Sequence, residues 1–143
     1  IKKHIKHGVI LAKKFNLPTE VIDVIKQHHG TTEIKYFLNK ARQANLDIDE
    51  EHFRYPGPIP QNKESALIMI SDIVESTTKS KKKLDNNIIV EVIEDTINSL
   101  ISRKQLIDSG LTLKDIELIK PSLIFSIEGI YGSRVEYPNE AKS

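Results

Sequence analysis

The chain has 143 residues, enough for one domain with a real hydrophobic core, and its 21 basic and 20 acidic side chains leave a formal charge of +1. So even a balance provides no global field to draw the chain onto nucleic acid or a membrane. The absence of cysteine excludes disulfides, thiolate metal sites and a cysteine nucleophile, and no apolar run approaches the roughly 20 residues that span a bilayer.

The pattern is helical almost throughout. Ile1, His4, Ile5, Gly8, Val9, Leu11, Ala12 and Phe15 recur at three- and four-residue steps, which predicts one inward face of a first helix. The chain is thus inside an amphipathic pattern from its first residue, as expected of a piece of something longer. Asn16-Leu17-Pro18 breaks the pattern, and Pro18 with Glu20 suits the first turn of a second helix. Val21, Ile22, Val24 and Ile25 form its core stripe, and Gly30 ends it. Thr31 or Thr32 is then expected to cap a third helix whose Ile34, Phe37, Leu38 and Ala41 face inward.

Periodicity disappears between about Asn45 and Gln61, where Tyr55-Pro56-Gly57-Pro58-Ile59-Pro60 predicts an ordered loop of polyproline character. The following stretch, Ala66-Leu67-Ile68-Met69-Ile70-Ser71-Asp72-Ile73-Val74, is apolar on nearly every face and predicts a buried central helix. A helix around Ile88–Arg103 comes next. Thr112 with Asp115 reads as a capping box, and Ile116, Ile119, Leu123, Ile127 and Ile130 continue the last stripe, with a kink expected before Pro121. The expected architecture is an all-α helical bundle with one long Pro-rich loop.

Four residues on this framework carry chemistry. His28 and His29 each extend the apolar stripe of the second helix. Adjacent helical side chains diverge by about 100°, so the pair is expected to offer one imidazole to each of two neighbouring ions and not to chelate one. Their bland alternative is a pair of histidines placed where a helix C-terminus favours a cation. Asp72 lies within the apolar helix, where a buried carboxylate needs a partner. Either an arginine or a divalent metal would serve, and none of Arg42, Arg54, Arg103 and Arg134 falls in an obvious buried stripe. His4 also falls on a predicted core face, a position at which a single histidine is commonly structural. Together His4, His28, His29 and Asp72 make a nitrogen–oxygen donor set suited to manganese, iron, zinc or nickel. Two such ions can hold a bridging hydroxide and stabilise the attacking and leaving oxygens of a phosphodiester.

The strings His4-Ile5-Lys6-His7-Gly8, Leu17-Pro18, Gln27-His28-His29-Gly30-Thr31-Thr32 and Tyr36-Phe37 resemble the HD-domain superfamily. Within it, Phe53-Arg54-Tyr55-Pro56-Gly57-Pro58, Ser71-Asp72 with Glu75, Leu111–Asp115 and Tyr137-Pro138 are similar to the seven-transmembrane-HD cyclic-di-AMP phosphodiesterases of bacterial signalling. The resemblance covers essentially the whole chain. It implies two divalent transition metal ions of manganese or iron type, with His4, His28, His29 and Asp72 at ligand positions, and hydrolysis of a cyclic dinucleotide by a bridging hydroxide without a protein nucleophile. It also implies a cytoplasmic domain tethered to the bacterial inner membrane through a segment upstream. The family's further histidine and its His-Asp doublet are missing here. Residues 1–143 are therefore expected to be the C-terminal part of a single HD domain, weak in metal binding and inactive alone.

Around the metal ligands, Arg54 can hold a phosphate and Tyr55 stack a base, or both can simply pack the loop. Tyr36 is placed to line a substrate cleft, and Lys63 to neutralise a phosphate or remain a solvated first-turn lysine. Glu75, three residues after Asp72, can orient a ligand or be an ordinary surface carboxylate. The run Lys79, Lys81, Lys82 and Lys83 reads as a solvated helix end, with anionic lipid as the alternative partner. The alternatives to a cyclic-di-AMP phosphodiesterase are a phosphohydrolase of another nucleotide on the same scaffold, a degenerate HD module that binds nucleotide without cleaving it, and a plain helical bundle. DNA is not an expected partner.

Overall fold

The computed structural model describes residues 2–47 and 49–135. Among these are six α-helices: α1 (Lys3–Lys14), α2 (Thr19–Gln27), α3 (Lys35–Gln43), α4 (Lys63–Ser80), α5 (Asn86–Ser102) and α6 (Leu113–Tyr131). A 3-10 turn, Glu50–Phe53, interrupts the long loop, and β structure among the described residues is limited to two isolated bridges. The tail motif at Tyr137-Pro138 lies outside the described residues. None of these helices is long and apolar enough to cross a membrane. The chain divides into two compact units, Ile1–Met69 with Gln105–Gly110 and Ile70–Lys104 with Leu111–Ser143, so the boundary falls inside α4.

In the first unit α1 packs on α2. Gly8 permits the approach, since a Cβ there would lie 3.0 Å from Ile25 Cγ2. Asn16 turns the chain in the left-handed region at φ 52°, and Pro18 stands at the N-cap of α2, its carbonyl accepting from the Val21 and Ile22 amides. The buried face of α1 is narrower than its periodicity suggests. Ile5 and Ala12 are buried, whereas His4, Leu11 and Phe15 are exposed. The contact at Gly8 turns the small-residue side of the helix inward, which leaves the larger side chains on its flanks outside.

Beyond α2, Ile34, Leu38 and Ala41 are buried as expected, but Phe37 is exposed. Nor do the threonines cap α3, whose N-cap is Ile34 with no side-chain hydrogen bond. The Thr32 hydroxyl donates instead to the His29 carbonyl at 2.7 Å, and that of Thr31 accepts from Gln105 at 2.9 Å. The Pro-rich loop is fastened to this same turn. Glu33 bridges to Arg54, the Ile34 amide donates to the Phe53 carbonyl, the Tyr55 amide to Thr32, and the Gln61 amide to the buried Gln27 side chain at 2.9 Å.

The second unit is built on α5, where Ile89, Val92, Ile93, Thr96, Ile97 and Leu100 form one buried stripe at helical spacing. Asp85 caps this helix by accepting from the Ile88 amide at 2.7 Å. The capping box at α6 is formed as the sequence predicts, with Thr112 and Asp115 exchanging hydrogen bonds. The helix then continues through Pro121, burying Ile116, Leu123 and Ile127, while Ile130 is exposed. Lys120 pairs with Glu94 at 3.1 Å, and the Tyr131 hydroxyl donates to Glu75 at 2.7 Å.

The central helix departs from the all-round burial expected of it. Ala66, Met69, Ile70, Val74 and Thr78 are buried, whereas Leu67, Ile68 and Asp72 are exposed. Glu64, Ile68 and Asp72 follow one another at four-residue steps, and Glu75 lies three further on. The helix therefore carries a polar seam that the composition of the nine-residue apolar string conceals.

Truncating the fully buried Ile97 to alanine is expected to cost about 2–5 kcal/mol of unfolding free energy. Leu118→Ala, at a position 62% exposed, should stay within about 0.5 kcal/mol of the parent in the same urea titration.

Candidate metal centre

His4 stands in the first turn of α1, and His28 and His29 stand where α2 stops. Helical neighbours would diverge, but the last helical residue is Gln27. His28 is the C-cap, and Gly30 at φ +51° reverses the chain immediately after His29. The two rings lie only 3.9 Å apart, centroid to centroid, in place of the divergent pair expected of two adjacent helical residues. His4 closes the group. Its Nε2 is 3.0 Å from Nε2 of His29, and one ring nitrogen from each of the three histidines lies within 4.8 Å of the others.

Each ring is held by its surroundings. His28 Nδ1 lies 2.9 Å from the Ile25 carbonyl oxygen, which can only accept, so that nitrogen carries the proton and Nε2 presents a lone pair. A backbone partner of this kind is what fixes the tautomer of a metal-ligating histidine. The His29 ring is stacked on Tyr55 at 4.2 Å and 16°. Burial, then the charges that His28 and His4 would carry, push its pKa down to about 4. The ring is therefore neutral at pH 7.

The donor set fits a divalent transition metal ion. At metal–nitrogen distances of about 2.0–2.1 Å, neighbouring nitrogens of a tetrahedral or octahedral sphere are about 2.9–3.4 Å apart. The separation of 3.0 Å between His4 and His29 falls in that range. Three imidazoles suit manganese, iron, nickel or zinc.

Other residues singled out from the sequence take different places. Asp72 is exposed, so no burial penalty requires a cation beside it, and the burial-based reason for reading it as a ligand is removed. Arg54 is held in place by Glu33 at 3.5 Å, Glu51 at 3.4 Å and the Thr31 carbonyl, contacts that fix the loop. One face of Tyr55 is covered by His29. Tyr36 is exposed, with its ring edge against Phe37. Lys63 is exposed in the first turn of α4. Glu75 belongs to the second unit and accepts from Tyr131, which raises the tyrosine pKa.

Gln105 went unnoticed in the sequence, yet it is buried and its side chain bonds the backbone of Thr31 in the histidine turn. Only the depletion of uncharged amides in cores marks such residues, and no periodic pattern reveals it.

The structure superposes on the crystal structure of the Listeria monocytogenes phosphodiesterase PgpH HD domain in complex with cyclic-di-AMP, with a TM-score of 0.85 at 38% identity, over 91% of this chain and 61% of that one. The fold is that of an HD domain. Close homologues in sequence are cyclic-di-AMP phosphodiesterases named PgpH. The chain is 39% identical over 140 residues to that of Listeria monocytogenes and 35% identical over 142 residues to that of Bacillus subtilis. These matches cover 98% and 99% of this chain but only 20% of either relative, so the chain spans about a fifth of their length. No family model matches the chain.

Because the folded state holds His29 neutral, the unfolded chain binds more protons once the pH drops below the ordinary histidine value. The stability contributed by a neutral His29 is complete above pH 6.5 and is lost as the pH falls towards 4. In metal-free protein the urea midpoint should fall across that window, and His29→Gln should flatten the decline.

Proposed function

We propose that this chain is the part of an HD-type phosphodiesterase that supplies His4, His28 and His29 to a divalent metal centre, and that the enzyme hydrolyses cyclic di-AMP to the linear dinucleotide. The observation that carries this reading is the convergence of three imidazoles within 4.8 Å, in a fold shared with an HD domain crystallised with that dinucleotide. Manganese and iron are the cofactors the resemblance favours, as a pair of ions.

Three imidazoles fill only part of a pair of coordination spheres. The resemblance adds Asp72, which enters on that ground alone, and places a further histidine and a His-Asp doublet upstream in the family. Bound cations would activate a water for attack on phosphorus and offset the charge that grows as the P–O bond breaks. The chain's own residues prepare the site. The backbone bond to His28 Nδ1 keeps Nε2 available, Tyr55 holds the His29 ring, and burial keeps that ring free of a competing proton at neutral pH. Residues 2–14 contain five lysines and no acid, a local positive surface that favours a substrate with two phosphates. On the same reading, the chain belongs to the cytoplasmic side of a membrane-tethered signalling protein.

The test extends the protein to the full length of the HD domain, loads it with Mn²⁺ and follows cleavage of cyclic di-AMP. His28→Ala and His29→Ala should each lower turnover on the order of 100-fold or more, a loss at least as large as that of a residue supporting a ligand. Asp72→Ala at full activity removes that residue from the ligand set. A wild-type protein that holds no transition metal, or that prefers cyclic di-GMP or (p)ppGpp, overturns the proposal.

A further inference from the structure

We propose that Gln105 is the positioning residue that aims the His28–His29 turn at His4, an inference that rests on reading those histidines as metal ligands. Gln105 lies 74 residues beyond Thr31 in the chain, yet it is only 4% exposed and spends both ends of its amide on that residue. Its Oε1 accepts from the Thr31 amide at 3.0 Å, and its Nε2 donates to the Thr31 hydroxyl at 2.9 Å. The acceptor end must face an N–H and the donor end an oxygen, so the pair of bonds fixes the amide's orientation as well as its position.

The same side chain braces the residue between Thr31 and the histidines. A Cβ at Gly30 would lie 2.4 Å from Gln105 Oε1 and 2.8 Å from Met69 Cε, so the Gln105 amide packs directly against the backbone at this point, where Gly30 stands at φ +51°. The next residue closes the turn, with the Thr32 hydroxyl and amide both bonding the His29 carbonyl. Three successive residues after His29 are thus held in one arrangement, and Gln105 makes the long-range contacts within it. Replacing its amide by a hydrocarbon leaves the Thr31 amide and hydroxyl without these partners in a half-buried place. The turn must then shift to find others, and His29 shifts with it.

Gln105→Leu and Thr31→Val remove the contacts from either side, whereas Thr31→Ser keeps both. Two measurements on the purified protein, extended to the full length of the HD domain, read the result. In metal-free protein, long-range ¹H–¹⁵N spectra of the imidazoles report the His4–His29 pairing. Titration with Co²⁺, with its absorption spectrum, reports ligand geometry. Gln105→Leu is expected to abolish the paired imidazole signature and to weaken Co²⁺ binding by about 10–100-fold. Thr31→Val should act in the same direction but less, and Thr31→Ser should match wild type. A folded Gln105→Leu protein with both readouts unchanged overturns the proposal, whatever its melting temperature. If that variant does not fold, the same two readouts on Thr31→Val decide. Wild-type protein that binds no Co²⁺ while Gln105→Leu still loses the imidazole pairing refutes the metal reading and leaves the positioning role standing.

Discussion

Three imidazole rings can share a space a few ångströms across only if they do not all carry protons. Each proton added beside another raises the Coulomb cost, and partial burial raises it further by stripping water from the charge. His29 shows both effects, held neutral to about pH 4 by burial and by its two neighbours. Within the cluster formed with His4 and His28, His29 is therefore an uncharged ring at neutral pH. A cation that binds there exchanges mutual repulsion among protonated rings for shared coordination.

Meeting that constraint falls mainly to the backbone. α2 stops at Gln27, immediately before the two rings, and Gly30 turns the chain at positive φ just after them. The polar interior of the first unit is concentrated around this reversal. Gln105 holds Thr31, Thr32 holds the His29 carbonyl, and Gln27 takes the Gln61 amide at the end of the Pro-rich loop. Arg54 anchors the start of that loop to Glu33 and Glu51, which sets Tyr55 against the His29 ring. The loop thus supports the His29 ring from behind. Its arginine and one face of its tyrosine are already engaged in doing so.

Much of this was legible from spacing alone. α5 and the capping box of α6 follow from local rules, because a helical stripe and a Thr-x-x-Asp cap depend on residues within a turn or two of each other. His28, His29 and Gly30 were conspicuous for the same reason. The burial expected of Asp72 was misjudged because a string of apolar letters does not say which side of a helix faces inward. The seam of Glu64, Ile68 and Asp72 becomes visible only when the buried side is known. Leu11 and Phe15 were misplaced likewise, since Gly8 and its contact with Ile25 decide which side of α1 packs. Gln105 had no local signature, for its partner is 74 residues away and its role exists only in three dimensions.

The character of the cluster also weighs between a hydrolytic centre and a module that only binds nucleotide. A binding module gains from histidines that protonate easily, because imidazolium attracts phosphate and donates from both nitrogens. Here the opposite has been built. Crowding and burial suppress protonation of His29, and the Ile25 carbonyl commits His28 Nδ1 to a backbone bond, leaving its other nitrogen as an acceptor. Such an arrangement costs a simple receptor affinity and suits an enzyme.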